Sequence, residues 1–255
     1  MLEAAAAAGL DTIDTARAYG DAEALIGQLA SAERWRVVTK LDHSTSVAAS
    51  LATSAAALRR DPLDTVLLHD ASLADDLEEL ALAQERGAVA RIGISPDNPQ
   101  QAEAALADDR LEVVQVAASL LDQRLVRGGW FERAATRGLE VFVRSIYLQG
   151  VAHLPVDALP PHLAPVGGAL ARIDEWAAAR GLNRVDAFFH YSRSLGGVTL
   201  VVGCETLGQL QDNLSALARE QLSASELEEL AALVGELPDE VLTPSAWPQS
   251  SAMPS

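Results

Sequence analysis

The chain of 255 residues contains one cysteine, Cys204, so no internal disulfide framework is possible. A single thiol fits a reducing compartment, and the expected location is cytoplasmic. No C-x-x-C or H-E-x-x-H motif occurs, and His43, His153, His162 and His190 are scattered without ligand spacing, so no metal site is expected. No apolar run approaches the roughly 20 residues needed to cross a bilayer. The N-terminus lacks a basic region followed by an apolar core and a cleavage site. Cations are scarce: Lys and Arg number 19 against 36 Asp and Glu, a formal net charge of −17. Such a field repels phosphate backbones and anionic lipid, so neither nucleic acid nor membrane is an expected partner. An anionic ligand would need a local pocket of backbone N–H donors.

What is present is an alternation of strand and helix. Apolar runs short enough for buried strands lie at 12–15, 37–40, 65–69, 91–95, 113–117, 140–144 and 200–203. Helical patterns lie at 1–8, 22–32, 46–59, 74–86, 99–107, 130–137, 169–181, 185–195 and 207–217. Gly87, Gly138 and Gly181 sit where a left-handed residue closes a helix. Ser223-Ala224-Ser225-Glu226 reads as a capping box that opens a terminal helix over 223–234. The stretch 150–168, with Pro155, Pro160, Pro161 and Pro165, reads as a long loop without regular structure. This alternation predicts a parallel sheet with right-handed crossovers in one domain over 1–237, followed by a mobile Pro/Ser-rich tail over 238–255.

Three of the first strands end in an ionisable residue or lead into one. Asp14 closes the first, with Tyr19 five residues on; Lys40 closes the second; His69 closes the third. In a parallel α/β barrel, chemistry sits at that edge. A phenol beside an ammonium is a tuned proton donor, because the positive charge favours the phenolate. Each residue also has a plainer reading: Asp14 as a helix cap, Tyr19-Gly20 as turn packing, Lys40 as a solvated strand end, His69 as a core histidine.

The ordered set resembles the aldo-keto reductase family. Asp14-Thr15-Ala16-Arg17-Ala18-Tyr19-Gly20 is similar to its D-T-A-x-x-Y-G signature, and Thr39-Lys40 to its T-K strand end. The run from Asp61 through Asp64 and Leu67 to His69 resembles D-x-x-D-x-x-L-x-H, and 87–95 resembles G-K-V-R-x-I-G-V-S. The likeness implies a TIM-type (β/α)8 barrel. Seven strands are one short of that, and the family places a further strand before the first one seen here, so an N-terminally truncated barrel is expected. It also implies NAD(P)H-dependent reduction of a small aldehyde or ketone, with Tyr19 as general acid, Lys40 tuning it, Asp14 holding Lys40, and His69 orienting the carbonyl. Ser95 and Gln115 match the positions that bond the nicotinamide carboxamide. Ser145, Tyr147, Leu148 and Gly150 match the loop around the pyrophosphate, with Arg144 where many members place a stacking aromatic ring. Gly203, Gln209, Asp212 and Asn213 match the adenosine end. There Gly203 and Gln209 stand where many members carry cations for a 2′-phosphate, so NADP is the implied cofactor and NAD stays open. Two other readings stand beside the reductase: a repurposed member that binds a nucleotide or partner protein without turnover, and a barrel lyase or isomerase. Substrate identity and oligomeric state are not legible.

Overall fold

The computed structural model describes residues 1–31, 34–41, 45–69 and 74–248. Seven strands alternate with helices among them: β1 (Thr12–Asp14), β2 (Arg36–Leu41), β3 (Leu63–Leu68), β4 (Val89–Ile94), β5 (Val113–Ala117), β6 (Glu140–Arg144) and β7 (Val198–Leu200). They follow one another in sheet order, and the pairings from β1 through β5 are parallel. Helices cross between successive strands, as at Ala22–Leu29, Val47–Leu58, Ala74–Glu85 and Pro99–Leu106. The chain divides into two compact units, residues 1–116 with 133–142, and residues 117–132 with those from 143 onward.

Within the first unit β2 and β3 are buried on both faces, which is why their sequences are nearly continuous in apolar residues. Gly93 in β4 is required by close approach. A Cβ there would lie 1.9 Å from the Val113 carbonyl oxygen of β5 and 2.8 Å from Leu67 Cδ2. Gly27 allows the same intimacy between helices, since a Cβ would lie 2.1 Å from the Ala57 carbonyl oxygen. At the start of the strands, Glu140 of β6 receives two hydrogen bonds from the Arg36 guanidinium, at 2.6 and 3.1 Å, and one from Arg91 of β4.

The second unit departs from the sequence expectation in three places. The stretch 150–168 is not irregular: it carries short 3₁₀ turns at Val151–His153, Val156–Ala158 and Pro161–Val166 before the helix Gly167–Ala178. Pro155 and Pro160 stand at the N-caps of two of these turns, in extended backbone that leads into a turn. A short helix, Arg124–Arg127, was not expected. The segment expected to begin the tail instead forms turns at Asp239–Leu242 and Pro244–Ala246, with Val241 and Leu242 buried. Arg124 anchors it by donating to the Leu242 carbonyl at 3.2 Å and to Asp239 at 3.2 Å. The rest of the expected tail, from 249, lies outside the described residues. The capping box at Ser223 is formed, as is a second at Asn183.

Candidate active site

Register places five polar side chains of the first unit on one sheet face. Paired residues in a parallel ladder point the same way, and so do residues two apart on one strand. Asp14 pairs with Val38, and Lys40 is two residues past Val38. Lys40 pairs with Leu67, and His69 is two past Leu67. Leu67 pairs with Gly93, and Ser95 is two past it; Gly93 pairs with Val113, and Gln115 is two past that. The sheet curls around this face, because side chains from β1 and β5 meet directly: Gln115 Nε2 donates to Asp14 Oδ1 at 2.6 Å.

The Lys40 ammonium is the centre of the cluster. It donates to Asp14 Oδ2 at 2.7 Å and to the Thr15 carbonyl at 2.9 Å. Lys40 is 1 % exposed, so it is no solvated strand end. Burying a cation is costly unless it is paired and hydrogen-bonded, and both conditions hold here. Asp14 is equally committed, one oxygen to Lys40 and the other to Gln115.

Tyr19 lies on the loop after β1, with its ring centroid 5.4 Å from the Lys40 Nζ. The His69 ring stands edge-on to it at 6.4 Å. Unlike its neighbours Tyr19 is half exposed, at 51 %, and so is open to a ligand from solvent. The loop is tied to β2 by backbone bonds from Thr15 to the Val38 carbonyl and from Arg17 to the Lys40 carbonyl, at 2.8 and 3.0 Å.

A buried carboxylate missed in the sequence reinforces this tie. Glu23 accepts from Thr39 Oγ1 at 2.7 Å and from Arg17 at 3.3 Å. Its helix follows Tyr19 directly, but the bridge to Thr39 joins residues on different elements and has no local signature. Ser95 and Gln115 are both buried, and Ser95 donates to the Gln115 backbone carbonyl at 3.3 Å.

The second unit gathers the other candidates. After β6 the chain turns through left-handed backbone at Ser145, Leu148, Gln149 and Gly150, with φ of 60, 45, 52 and 86°. Three of these are not glycine, a conformation that costs energy and clusters at ligand-binding turns. Arg144 reaches Ser145 Oγ at 3.5 Å. The Leu148 side chain is buried and anchors the turn. Tyr147 donates its hydroxyl proton to Asn213 Oδ1 at 2.7 Å, and Asn213 Nδ2 donates to the Gln209 carbonyl at 2.8 Å and toward Cys204 Sγ at 3.4 Å. Burial pushes the Tyr147 phenol and the Cys204 thiol up, and holds the neighbouring His153 below its ordinary value. Gln209 serves the capping box of the helix Leu207–Ala218 with Thr206. Gly203 and Asp212 are exposed. Among the described residues no group of three or more His, Cys, Asp or Glu is placed to hold a metal ion, and no helix is long and apolar enough to cross a membrane.

Solved structures share this fold. An aldo-keto reductase of Bacillus halodurans in its holo form superposes with a TM-score of 0.77 at 19 % identity, over 94 % of this chain and 88 % of that one. An aldo-keto reductase of Klebsiella pneumoniae in complex with NADPH gives 0.72 at 23 % identity, over 91 % and 82 %. A glycerol dehydrogenase of Gluconobacter oxydans gives 0.72 at 19 %, over 100 % and 88 %. A comparison with curated protein sequences finds no match. The sequence profile of the aldo/keto reductase family matches residues 1–234, and with the strand-end cluster of Asp14, Lys40 and Tyr19 this places the chain in that family.

Proposed function

We propose that the chain is an NADP(H)-dependent oxidoreductase that reduces an aldehyde or ketone to an alcohol, with Tyr19 as the proton donor. One observation carries the reading: a buried ammonium, fixed by Asp14 at 2.7 Å, lies 5.4 Å from the ring of a half-exposed tyrosine. Free tyrosine, with a pKa of about 10, is a reluctant acid. A fixed positive charge nearby stabilises the phenolate and makes proton release easier. Carbonyl reduction places negative charge on oxygen, so a donor within reach of that oxygen lowers the barrier. Tyr19 gives the proton, Lys40 stabilises the phenolate left behind, Asp14 and the Thr15 carbonyl keep Lys40 in place, and His69 orients the carbonyl oxygen. The Bacillus and Klebsiella proteins supply the fold precedent, and the latter was solved with NADPH.

Each unit carries residues that the family resemblance assigns to a nicotinamide dinucleotide. Ser95 and Gln115 bring buried hydrogen-bonding groups to the ends of β4 and β5, where the family resemblance assigns the carboxamide. The left-handed turn 145–150 and the exposed start of the helix Leu207–Ala218 offer backbone N–H groups for phosphate oxygens. When bound, the dinucleotide supplies the hydride, which no side chain can. Gly203 and Gln209 place no cation beside a 2′-phosphate, so NAD is expected to be accepted alongside NADP.

The test is Tyr19→Phe. Carbonyl reduction with a generic aldehyde should fall by about 100-fold or more, with cofactor affinity nearly unchanged. Turnover that survives the substitution would refute the assigned acid. Nucleotide binding without turnover of any carbonyl in the unaltered chain would favour a repurposed, non-enzymatic member.

A further inference from the structure

Gln115 is a second holder of the Asp14–Lys40 pair. Its side-chain nitrogen lies 2.6 Å from Asp14 Oδ1, across a separation of 101 residues. A carboxylate only accepts hydrogen bonds, so it is the amide nitrogen of Gln115, and not its oxygen, that faces Asp14. The bond is charge-assisted and part-buried, a class of hydrogen bond stronger than one between neutral groups. It closes a chain: Gln115 donates to one oxygen of Asp14, Lys40 donates to the other, and Lys40 faces Tyr19. Ser95 binds the Gln115 backbone carbonyl at 3.3 Å and braces the same strand end.

We propose that Gln115 is a positioning residue for proton transfer: by holding Asp14 Oδ1 it fixes the carboxylate against Lys40 and draws part of its negative charge away from the ammonium. The functional side of this inference rests on the reading of Tyr19 as the acid; the geometric side does not. With one N–H of its amide committed to Asp14, Gln115 keeps its oxygen and its second N–H for the amide group of a nicotinamide. The residue thereby links the cofactor's carboxamide to the acid through three side chains. Without the donor, Asp14 concentrates its charge on Lys40 and the field at Tyr19 weakens. The charged and titratable groups around Tyr19 include Lys40 from β2, Asp14 from β1, His69 after β3, and the Arg17–Glu23 pair and Asp21 on its own loop and helix.

The experiment is a phenolate absorbance titration of the cofactor-free protein. The chain has three tyrosines, and burial holds Tyr147 up and pushes Tyr191 up to about 12. The Tyr19 phenolate step is identified as the one that Tyr19→Phe removes. Gln115→Met keeps the volume and removes the donor. Its Tyr19 step should move to higher pH by about half a unit or more. In turnover the alkaline limb of carbonyl reduction, where Tyr19 loses its proton, should move the same way. Gln115→Glu places a second carboxylate at 2.6 Å from the first, and should raise the step further while that group is ionised. Circular dichroism across the titration confirms folding. An unmoved Tyr19 step in both folded variants, with only cofactor affinity reduced, would overturn the proposal and leave Gln115 a cofactor contact alone. A moved step in a protein that reduces no carbonyl would uphold the positioning role and count against the proposed function instead.

Discussion

The two units solve different problems with polar groups. In the first, Asp14, Lys40, Ser95 and Gln115 stand at strand ends, the last three buried and Asp14 half-buried, with their positions set by ladder register. In the second, Tyr147, Gln209 and Asn213 stand on a loop and on the first turns of a helix, and their bonds are between neutral groups. Strand ends cannot shift without breaking the sheet, so they suit groups whose spacing decides a proton transfer. A loop with three non-glycine residues in left-handed backbone can adapt to the outline of a ligand. The contrast predicts that damage to the first unit alters rate and stability together, while damage to the second alters affinity.

The largest effect should come from Lys40→Met. It leaves the half-buried Asp14 without its cation, at a cost of about 2 kcal/mol, and lowers carbonyl reduction by about 100-fold or more. Adding Asp14→Asn should recover most of the stability and none of the rate. Urea melts beside single-turnover rates measure both, and a double variant that regains activity would break the comparison. Gly93→Ala comes next. Its methyl would strike the Val113 carbonyl, and chemical denaturation should show a loss of about 2 kcal/mol or more.

Asn213→Ala should be milder. It takes the acceptor from the Tyr147 hydroxyl and costs about 1 kcal/mol, while cofactor titration should show weaker binding and kcat at saturation nearly unchanged. A kcat effect as large as that of Lys40→Met would erase the distinction between the units. Smallest of all should be Ser223→Ala, which removes the N-cap of the helix Ala224–Ala232. The bonds from Ser223 hold the Glu226 carboxyl below its ordinary value. Their contribution is present above the ordinary carboxylate value and is lost as the pH falls through the lowered one. The variant should melt lower by about 3 °C or less near neutrality, by less in acid, where only the cap bond from the Glu226 N–H to Ser223 Oγ still differs, and titrate Glu226 at a higher pH by NMR.

The strand ends were legible because a buried strand must be apolar, so Asp14, Lys40 and His69 stand out where the runs stop. The capping boxes were legible because their spacing is local. The 3₁₀ turns in 151–166 were not: prolines exclude long helix and central strand but leave short turns and irregular loop alike. Nor was the bond from Gln115 to Asp14, whose partners are joined by the curl of a sheet.

The sequence by itself determined the order of elements, the family and the residue types at each strand end, since periodicity and local motifs are written in neighbouring residues. Only the tertiary structure decided which of those residues meet. Lys40 read equally as solvated or paired until burial and a 2.7 Å contact made it an ion pair. Gln115 read only as a cofactor contact, and the bond from its nitrogen to Asp14 was not legible. Glu23 carried no signal until its carboxylate was found between Arg17 and Thr39. The reason is physical: a charge is costly to bury alone, and whether its partner is at hand depends on how strands distant in sequence are brought side by side.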